Sequence, residues 1–241
     1  MDKIKKTNNH VFHYREFGNK NQDVVILLHG YADSAEMFNP LGQYLKEKYH
    51  VIALDLPMIH QQKKIENVTS LAHYVNKFAT SLKLSHFSLV GFSLGGLVSI
   101  EYSHIYPNKV KELFLLNSFP QLLINRPQFM IYKVIKPMLM SKTFCKFLSL
   151  FKKRNQSVKP NFISVFGTMF NVIDAKLINK FISLPMEKTI VFFKDDRAIN
   201  PRRFRKFFKS LNCNLVIFPH GGHAQDQETY WKNIEKLWLK N

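Results

Sequence analysis

Apolar residues recur along this chain in two patterns, short, mostly apolar runs and longer stretches with helical spacing. The short runs are rich in β-branched residues, as in buried parallel strands, and they fall at 24–28, 51–55, 87–90, 113–116, 189–193 and 215–218. A strand is also predicted at 11–17, and helical spacing marks 34–48, 68–82 and 97–106. Strands that alternate with helices predict an α/β fold, with a mostly parallel twisted sheet flanked by helices.

The alternation stops after residue 118 and resumes at residue 187. The intervening segment, 119–186, contains helix-like stretches and five prolines but only one glycine. We therefore expect one domain whose core is formed by 1–118 and 187–241. The segment 119–186 is then a helical insertion before the strand 189–193.

A glycine-rich motif stands between a predicted strand and a predicted helix. Gly91-Phe92-Ser93-Leu94-Gly95-Gly96 follows the run 87–90 and precedes the stretch 97–106. So sharp a turn needs residues without Cβ, and it can hold a serine in a strained conformation that projects its hydroxyl above the sheet. The motif predicts Ser93 as a nucleophile. The alternative is a glycine-rich turn that only packs a helix on a strand.

The partners that a serine nucleophile needs follow other predicted strands. His223 lies in the loop after 215–218, and the adjacent Asp195 and Asp196 follow 189–193. A serine hydroxyl needs a neighbouring base, and that base needs an anion to fix its tautomer. Along the chain the order is therefore serine, aspartate, histidine. This is the order found in enzymes whose serine nucleophile lies on a sharp turn between a strand and a helix.

Together these motifs resemble the α/β-hydrolase superfamily, specifically its small serine carboxylesterases and thioesterase-like members with a helical lid. The resemblance covers residues 11–239 and rests on His29-Gly30, the motif around Ser93, Asp196 and Gly222-His223-Ala224. It implies that 119–186 is the lid. It also favours Asp196 over Asp195 as the acid, because the residues after Asp196 resemble the family stretch that follows the acid.

The resemblance implies hydrolysis of a small carboxylic ester or thioester through an acyl-enzyme, with no cofactor and no metal. Ser93, His223 and Asp196 would form the triad, and the backbone N–H groups of Tyr31 and Leu94 the oxyanion hole. Lactonase, acyltransferase, cofactor-free haloperoxidase and carbon–carbon hydrolase activities use the same residues and stay open. A non-catalytic ligand-binding module also stays open.

Two histidines outside this triad receive other interpretations. His29 is expected to hold the oxyanion loop by hydrogen bonding rather than to transfer protons. Relatives usually carry Asp-x-x-Gly-x-Gly-x-Ser after the corresponding strand, whereas this chain reads Asp55-Leu56-Pro57-Met58-Ile59-His60-Gln61-Gln62. That loop borders the pocket mouth in the family, so the substrate class does not carry over. His60 is interpreted as a solvated surface residue.

The charge of the chain is strongly positive, +18 from 35 Lys and Arg against 17 Asp and Glu. Segment 119–186 holds eleven of the cations and one acid, Asp174. Drift towards lysine-rich composition is one explanation. The other is a functional field, and the cationic amphipathic stretch 142–153 makes transient contact of the lid with an anionic membrane an expectation. No nucleic-acid-binding motif accompanies the charge, so nucleic acid is not an expected partner.

The start of the chain is charged and polar and has no apolar stretch of the secretory type. Cys145 and Cys213 have no metal-ligand spacing and are interpreted as reduced packing residues. We therefore expect a cytoplasmic protein.

Overall fold

The computed structural model describes residues 2–31, 33–57, 67–118, 177–196, 199, 201, 208, 210–223 and 227–238. The described strands are β1 (Asp2–Lys6), β2 (Val11–Phe17), β3 (Val24–Leu28), β4 (His50–Leu54), β5 (Phe87–Phe92), β6 (Val110–Leu116), β7 (Glu187–Phe193) and β8 (Asn214–Phe218). The described α-helices are α1 (Asn39–Leu45), α2 (Val68–Ser81), α3 (Leu94–Ile105), α4 (Leu177–Ser183) and α5 (Gln227–Trp238).

All of these strands belong to one sheet, in the order β1-β2-β4-β3-β5-β6-β7-β8. The pairs β1–β2 and β2–β4 are antiparallel and the others are parallel, which confirms the mostly parallel α/β sheet. The chain order reverses at β3, which pairs with β4 on one side and β5 on the other. In open α/β sheets ligands bind at the carboxyl ends of strands beside such a reversal, and residues 29 and 93 follow β3 and β5 there.

Helices cover both faces of the sheet, as buried parallel strands require. Alternate residues of β3 enter different apolar clusters, because successive side chains of a strand point to opposite faces. Ile26 and Leu28 join the cluster that includes α2, α3 and α4. Val25 and Leu27 join the cluster that includes α1 and α5. Within the part of the chain that is described, no helix combines the length and apolar character needed to cross a bilayer.

Of the predicted insertion, residues 119–176 lie outside the described residues. Its described end contains α4, where Leu177 and Phe181 are buried in the cluster that also holds α3. Lys180 Nζ donates to Glu101 Oε2 at 2.6 Å, and the other oxygen of Glu101 accepts from Thr69 Oγ1 at 2.8 Å. The end of the insertion is therefore packed on α3 by both apolar and ionic contacts. The boundary at residue 186 stays a prediction.

Local structure differs from the sequence prediction in three places. The single helix predicted over 34–48 is a 3-10 helix, Ala35–Phe38, followed by α1. Ser34 accepts the Glu36 N–H at 3.3 Å, as an N-cap does, and α1 begins with proline in its first turn. The polar strand β1 was not predicted because it contains no apolar run, and its lysines are typical of an edge strand. The terminal helix α5 was also not predicted.

Candidate active site

The motif at the end of β5 forms the sharp turn that the sequence predicts. Ser93 has φ 49° and ψ −114°, a rare conformation for a residue with a side chain. Its N–H donates to Leu116 O at 2.9 Å, and its carbonyl accepts the Ser118 hydroxyl at 2.7 Å. A Cβ on Gly95 would strike the backbone of Leu28 and His29. Glycine is therefore required for the turn to approach β3 this closely.

The structure brings Ser93, His223 and Asp196 together from three separate segments. His223 Nε2 lies 3.1 Å from Ser93 Oγ, and His223 Nδ1 lies 2.8 Å from Asp196 Oδ2. Because an ionised carboxylate only accepts, the His223 proton belongs on Nδ1, and Nε2 is then free to accept from the serine hydroxyl. The ring of Phe92 packs against the imidazole, with centroids 5.0 Å apart.

The two adjacent aspartates have different surroundings. Asp196 is 2% exposed and contacts His223. Asp195 is partly exposed, and its carboxylate accepts the N–H groups of Gly221 at 3.2 Å and Gly222 at 2.9 Å. Asp196 is therefore the aspartate beside the base, while Asp195 holds the backbone of the loop that carries the base. The catalytic roles of these residues stay predictions.

The Asp196 carboxylate is buried but well hydrogen-bonded. Its Oδ1 accepts the Ile199 N–H at 2.9 Å, and its Oδ2 also accepts Asn117 Nδ2 at 2.6 Å. Burial raises the pKa of Asp196, but the hydrogen bonds from His223 and Asn117 outweigh it and leave the pKa below its ordinary value. Asp196 is therefore an anion at neutral pH, as the orientation of His223 requires.

Asn117 and Tyr230 are site residues that the sequence analysis missed. Both are fully buried. Asn117 Nδ2 donates to Asp196 and, at 2.9 Å, to Gly222 O, while Tyr230 OH donates to Asn117 Oδ1 at 2.9 Å. A signal for Asn117 existed, since a polar residue directly after β6 lies at the same sheet edge as Ser93. Tyr230, in the middle of α5, had none.

The residues expected to form the oxyanion hole lie after β3 and at the start of α3. Leu94 is the first residue of α3, where N–H groups have no partner within the helix. Among the residues that the structure describes, none accepts a hydrogen bond from the N–H of Tyr31 or of Leu94. Both N–H groups are therefore free to bind an anion as far as the described contacts go.

Buried contacts hold the loop that carries Tyr31. His29 is fully buried; its Nε2 accepts the Leu56 N–H at 2.8 Å, so its Nδ1 proton is donated to Gly30 O at 2.7 Å. Farther along, Asp55 Oδ1 accepts the Ala35 N–H at 2.6 Å. The expected hydrogen-bonding role of His29 is thus matched by its contacts, and both of its ring nitrogens are occupied.

His60 and the rest of 58–66 lie outside the described residues. Among the residues that are described, no group of three or more His, Cys, Asp or Glu side chains could hold a metal ion.

Comparison with known proteins agrees with this fold. A family model described as the alpha/beta hydrolase fold matches residues 23–209. The (E)-2-((N-methylformamido)methylene)succinate hydrolase of Acinetobacter baylyi is 31% identical over 117 residues, which are 47% of this chain and 44% of that protein. The chain spans less than half the length of the curated relatives that it matches first.

Solved structures resemble the whole chain. A hydrolase from Pseudomonas aeruginosa PA01 has a TM-score of 0.78 at 17% identity, and the match covers 99% of this chain and 97% of that protein's chain. An esterase from Exiguobacterium antarcticum has a TM-score of 0.77 at 17% identity and covers 100% of both chains. At this identity the likeness shows the fold alone.

Proposed function

Because the chain belongs to the α/β-hydrolase family, we propose that it is an enzyme, a serine hydrolase that cleaves carboxylic esters or thioesters. One observation carries the proposal: Ser93 Oγ is 3.1 Å from His223 Nε2, while His223 Nδ1 is 2.8 Å from the buried Asp196. Nucleophile, base and orienting anion within hydrogen-bond reach are the requirements of acyl transfer through serine.

The first half of the reaction forms an acyl-enzyme. Ser93 Oγ attacks the carbonyl carbon of the substrate while its proton passes to His223 Nε2, and the Asp196 carboxylate stabilises the resulting imidazolium. The former carbonyl oxygen becomes an anion, which accepts hydrogen bonds from the backbone N–H groups of Tyr31 and Leu94. When the intermediate collapses, His223 returns the proton to the departing alcohol or thiol.

The second half repeats these steps with water. His223 takes a proton from water, the hydroxide oxygen bonds to the acyl carbon, and Ser93 leaves with the proton from His223 as the carboxylic acid departs. The positive end of the α3 dipole lies at Leu94 and favours the anionic intermediate in both halves. Ser93 is held ready for each attack because its strained backbone is fixed by β6 through Leu116.

Covalent labelling with a serine-directed fluorophosphonate tests the proposal. The wild-type protein should label and should release p-nitrophenol from short p-nitrophenyl esters, whereas Ser93→Ala should do neither. Ser81→Ala, at the end of α2 and the opposite edge of the sheet, is the matched control and should behave like the wild type. Equal labelling of Ser93→Ala and wild type would overturn the nucleophile. A wild-type protein that neither labels nor hydrolyses would favour a binding module.

We also propose that the basic segment 119–186 makes transient contact with anionic membranes. Its support is the sequence, with eleven cations against Asp174. Lys180 pairs with the buried Glu101, so this cation serves the fold. Co-sedimentation should find the protein on anionic vesicles at low salt and not at high salt, because screening weakens the attraction. Negligible and equal sedimentation with anionic and neutral vesicles at low salt would refute it.

A further inference from the structure

One carboxylate oxygen in the candidate active site receives two hydrogen bonds. Asp196 Oδ2 lies 2.8 Å from His223 Nδ1 and 2.6 Å from Asn117 Nδ2. A donor stabilises the ionised form of a carboxylate and lowers its affinity for a proton. Two donors on the same oxygen therefore share its charge, and the Asn117 amide acts on His223 through the very atom that His223 contacts.

The same amide group also reaches the loop of the base. Asn117 Nδ2 donates to Gly222 O at 2.9 Å, one residue before His223. Asp196 lies in the loop after β7, and Gly222 in the loop after β8. A single fully buried amide thus links the acid to the backbone beside the base.

The orientation of the Asn117 amide is fixed by its partners. Both partners of Nδ2 are acceptors, whereas the partner of Oδ1 is the Tyr230 hydroxyl, at 2.9 Å. Burial raises the pKa of Tyr230 well above its ordinary value, and the charge of Asp196 adds to this. The hydroxyl therefore keeps its proton and donates it to Oδ1, which leaves Nδ2 directed at the acid.

The backbone of Asn117 is also held in an unusual place. Its φ is 46°, in the left-handed region that asparagine tolerates better than most residues with a side chain. Its N–H donates to Val191 O of β7 at 2.9 Å. Residues kept in such conformations are over-determined by their surroundings and cluster at functional sites.

We propose that Asn117, oriented by Tyr230, is a positioning residue for the acid and the base. This inference rests on the proposed function. The amide holds the Asp196 carboxylate and the Gly222 carbonyl in place, which keeps the imidazole directed at the nucleophile. It also shares the carboxylate charge, so that the imidazolium is stabilised less than it would be by an unshared anion.

The pH dependence follows from the groups around the imidazole. The described titratable groups of this network are Asp196 and Asp195 after β7, Tyr230 in α5, and His220, whose Nδ1 lies 3.8 Å from Asp195 Oδ2. Removing the amide changes none of these groups and leaves more of the charge of Asp196 Oδ2 to His223. The protonated base is then more stable, and activity should fail at a higher pH on the acid side.

The test substitutes Asn117→Gly, which removes the amide and accepts a positive φ without strain. Turnover per labelled active site should fall about ten- to a hundredfold, with KM changed less, because the base is misplaced rather than the substrate. The acid limb of kcat/KM should move up by about one pH unit, as expected for a lost hydrogen bond to a charged group.

Two tyrosine variants provide a second route in case Asn117→Gly does not fold. Tyr230→Phe removes only the hydroxyl that orients the amide, and it should move the acid limb in the same direction by a smaller amount. Tyr102→Phe is the matched control, because it removes a buried hydroxyl on α3 that has no hydrogen-bond partner among the described residues. It should leave the limb in place. The double variant Asn117→Gly/Tyr230→Phe should shift no further than Asn117→Gly alone.

A folded Asn117→Gly or Tyr230→Phe protein whose acid limb stays in place would overturn the proposal, whatever its turnover. A purely structural role lowers the active fraction without changing the proton affinity of the base. Failure of the proposed function would give a different result from failure of this proposal. The wild-type protein would then not label with fluorophosphonate, and Ser93→Ala would not lower its activity.

Discussion

The two sides of Ser93, the proposed nucleophile, are built from different kinds of group. On the acid–base side, hydrogen bonds connect side chains from distant segments, from His223 to Asp196 and from Asp196 to Asn117. On the oxyanion side, we expect the backbone N–H groups of Tyr31 and Leu94 to bind the substrate oxygen. The uncharged imidazole of His29 holds the loop before Tyr31. It forms buried hydrogen bonds with Gly30 O in that loop and with the Leu56 N–H in the loop after β4.

Because of this difference, only the acid–base side contains titratable side chains, whereas the oxyanion side acts through the position of backbone groups. The acid–base side contains the ionised Asp196, so its function should depend on pH and on individual side chains. The oxyanion side presents N–H groups that carry no titratable proton, so it should respond to changes of backbone position alone. Substitutions on the two sides should therefore leave different kinetic signatures.

The largest effects are expected from substitution of Ser93, the proposed nucleophile, and of His223, the proposed base. Ser93→Ala and His223→Ala should each lower turnover of a short p-nitrophenyl ester by about 10⁴-fold or more, because the two groups act as a unit. The double variant should be little worse than either single variant. Steady-state kinetics and urea unfolding test this, with unfolding midpoints close to that of the wild type. Full activity in either single variant would contradict it.

The adjacent aspartates offer an internally matched pair. Asp196→Asn should lower turnover by about 10³- to 10⁴-fold, because an amide cannot set the imidazole tautomer as the carboxylate does. Asp195→Asn keeps one acceptor oxygen for the loop N–H groups and should cost less than about tenfold. Kinetics of both variants would check the ranking. A reversed ranking would move the acid to Asp195.

A smaller effect is expected on the oxyanion side. His29→Leu leaves the Leu56 N–H and the Gly30 carbonyl without their buried partner, and the displaced loop should lower kcat about ten- to a hundredfold. The acid limb of kcat/KM should not move. Tyr31→Phe keeps the backbone N–H and is the control. A shifted limb in His29→Leu would show that the two sides are not separable in this way.

The smallest expected effect is on stability. The pKa of Asp196 in the folded protein lies below its ordinary value of 3.8, so the unfolded chain binds more protons as the pH falls through that value. The contribution of Asp196 is therefore present above about pH 4 and lost below it. Urea unfolding between about pH 6 and pH 3 should give a shallower decline for Asp196→Asn than for wild type. Asp195→Asn, which keeps Asp196, should decline like the wild type.

Much of the fold could be predicted because its signals are local. The strand run at 24–28 is apolar on both faces, and the sharp turn around Ser93 needs glycine at position 91, where a Cβ would strike the nearby backbone of Gly95 and Gly96. Prediction failed where a local signal was weak. Strand β1 is lysine-rich and is held by pairing with β2, and the first part of 34–48 forms a 3-10 helix.

The sequence by itself determined the parallel sheet, the sharp turn at Ser93 and the three residue types that could serve it. Only the tertiary structure decided which of two adjacent aspartates contacts His223, and that Asn117 and Tyr230 stand behind it. These contacts join residues 79 and 113 positions apart, from Asn117 to Asp196 and to Tyr230. They depend on the order of the strands in the sheet and on where α5 packs. Neither can be predicted from the residues next to Asn117 along the chain.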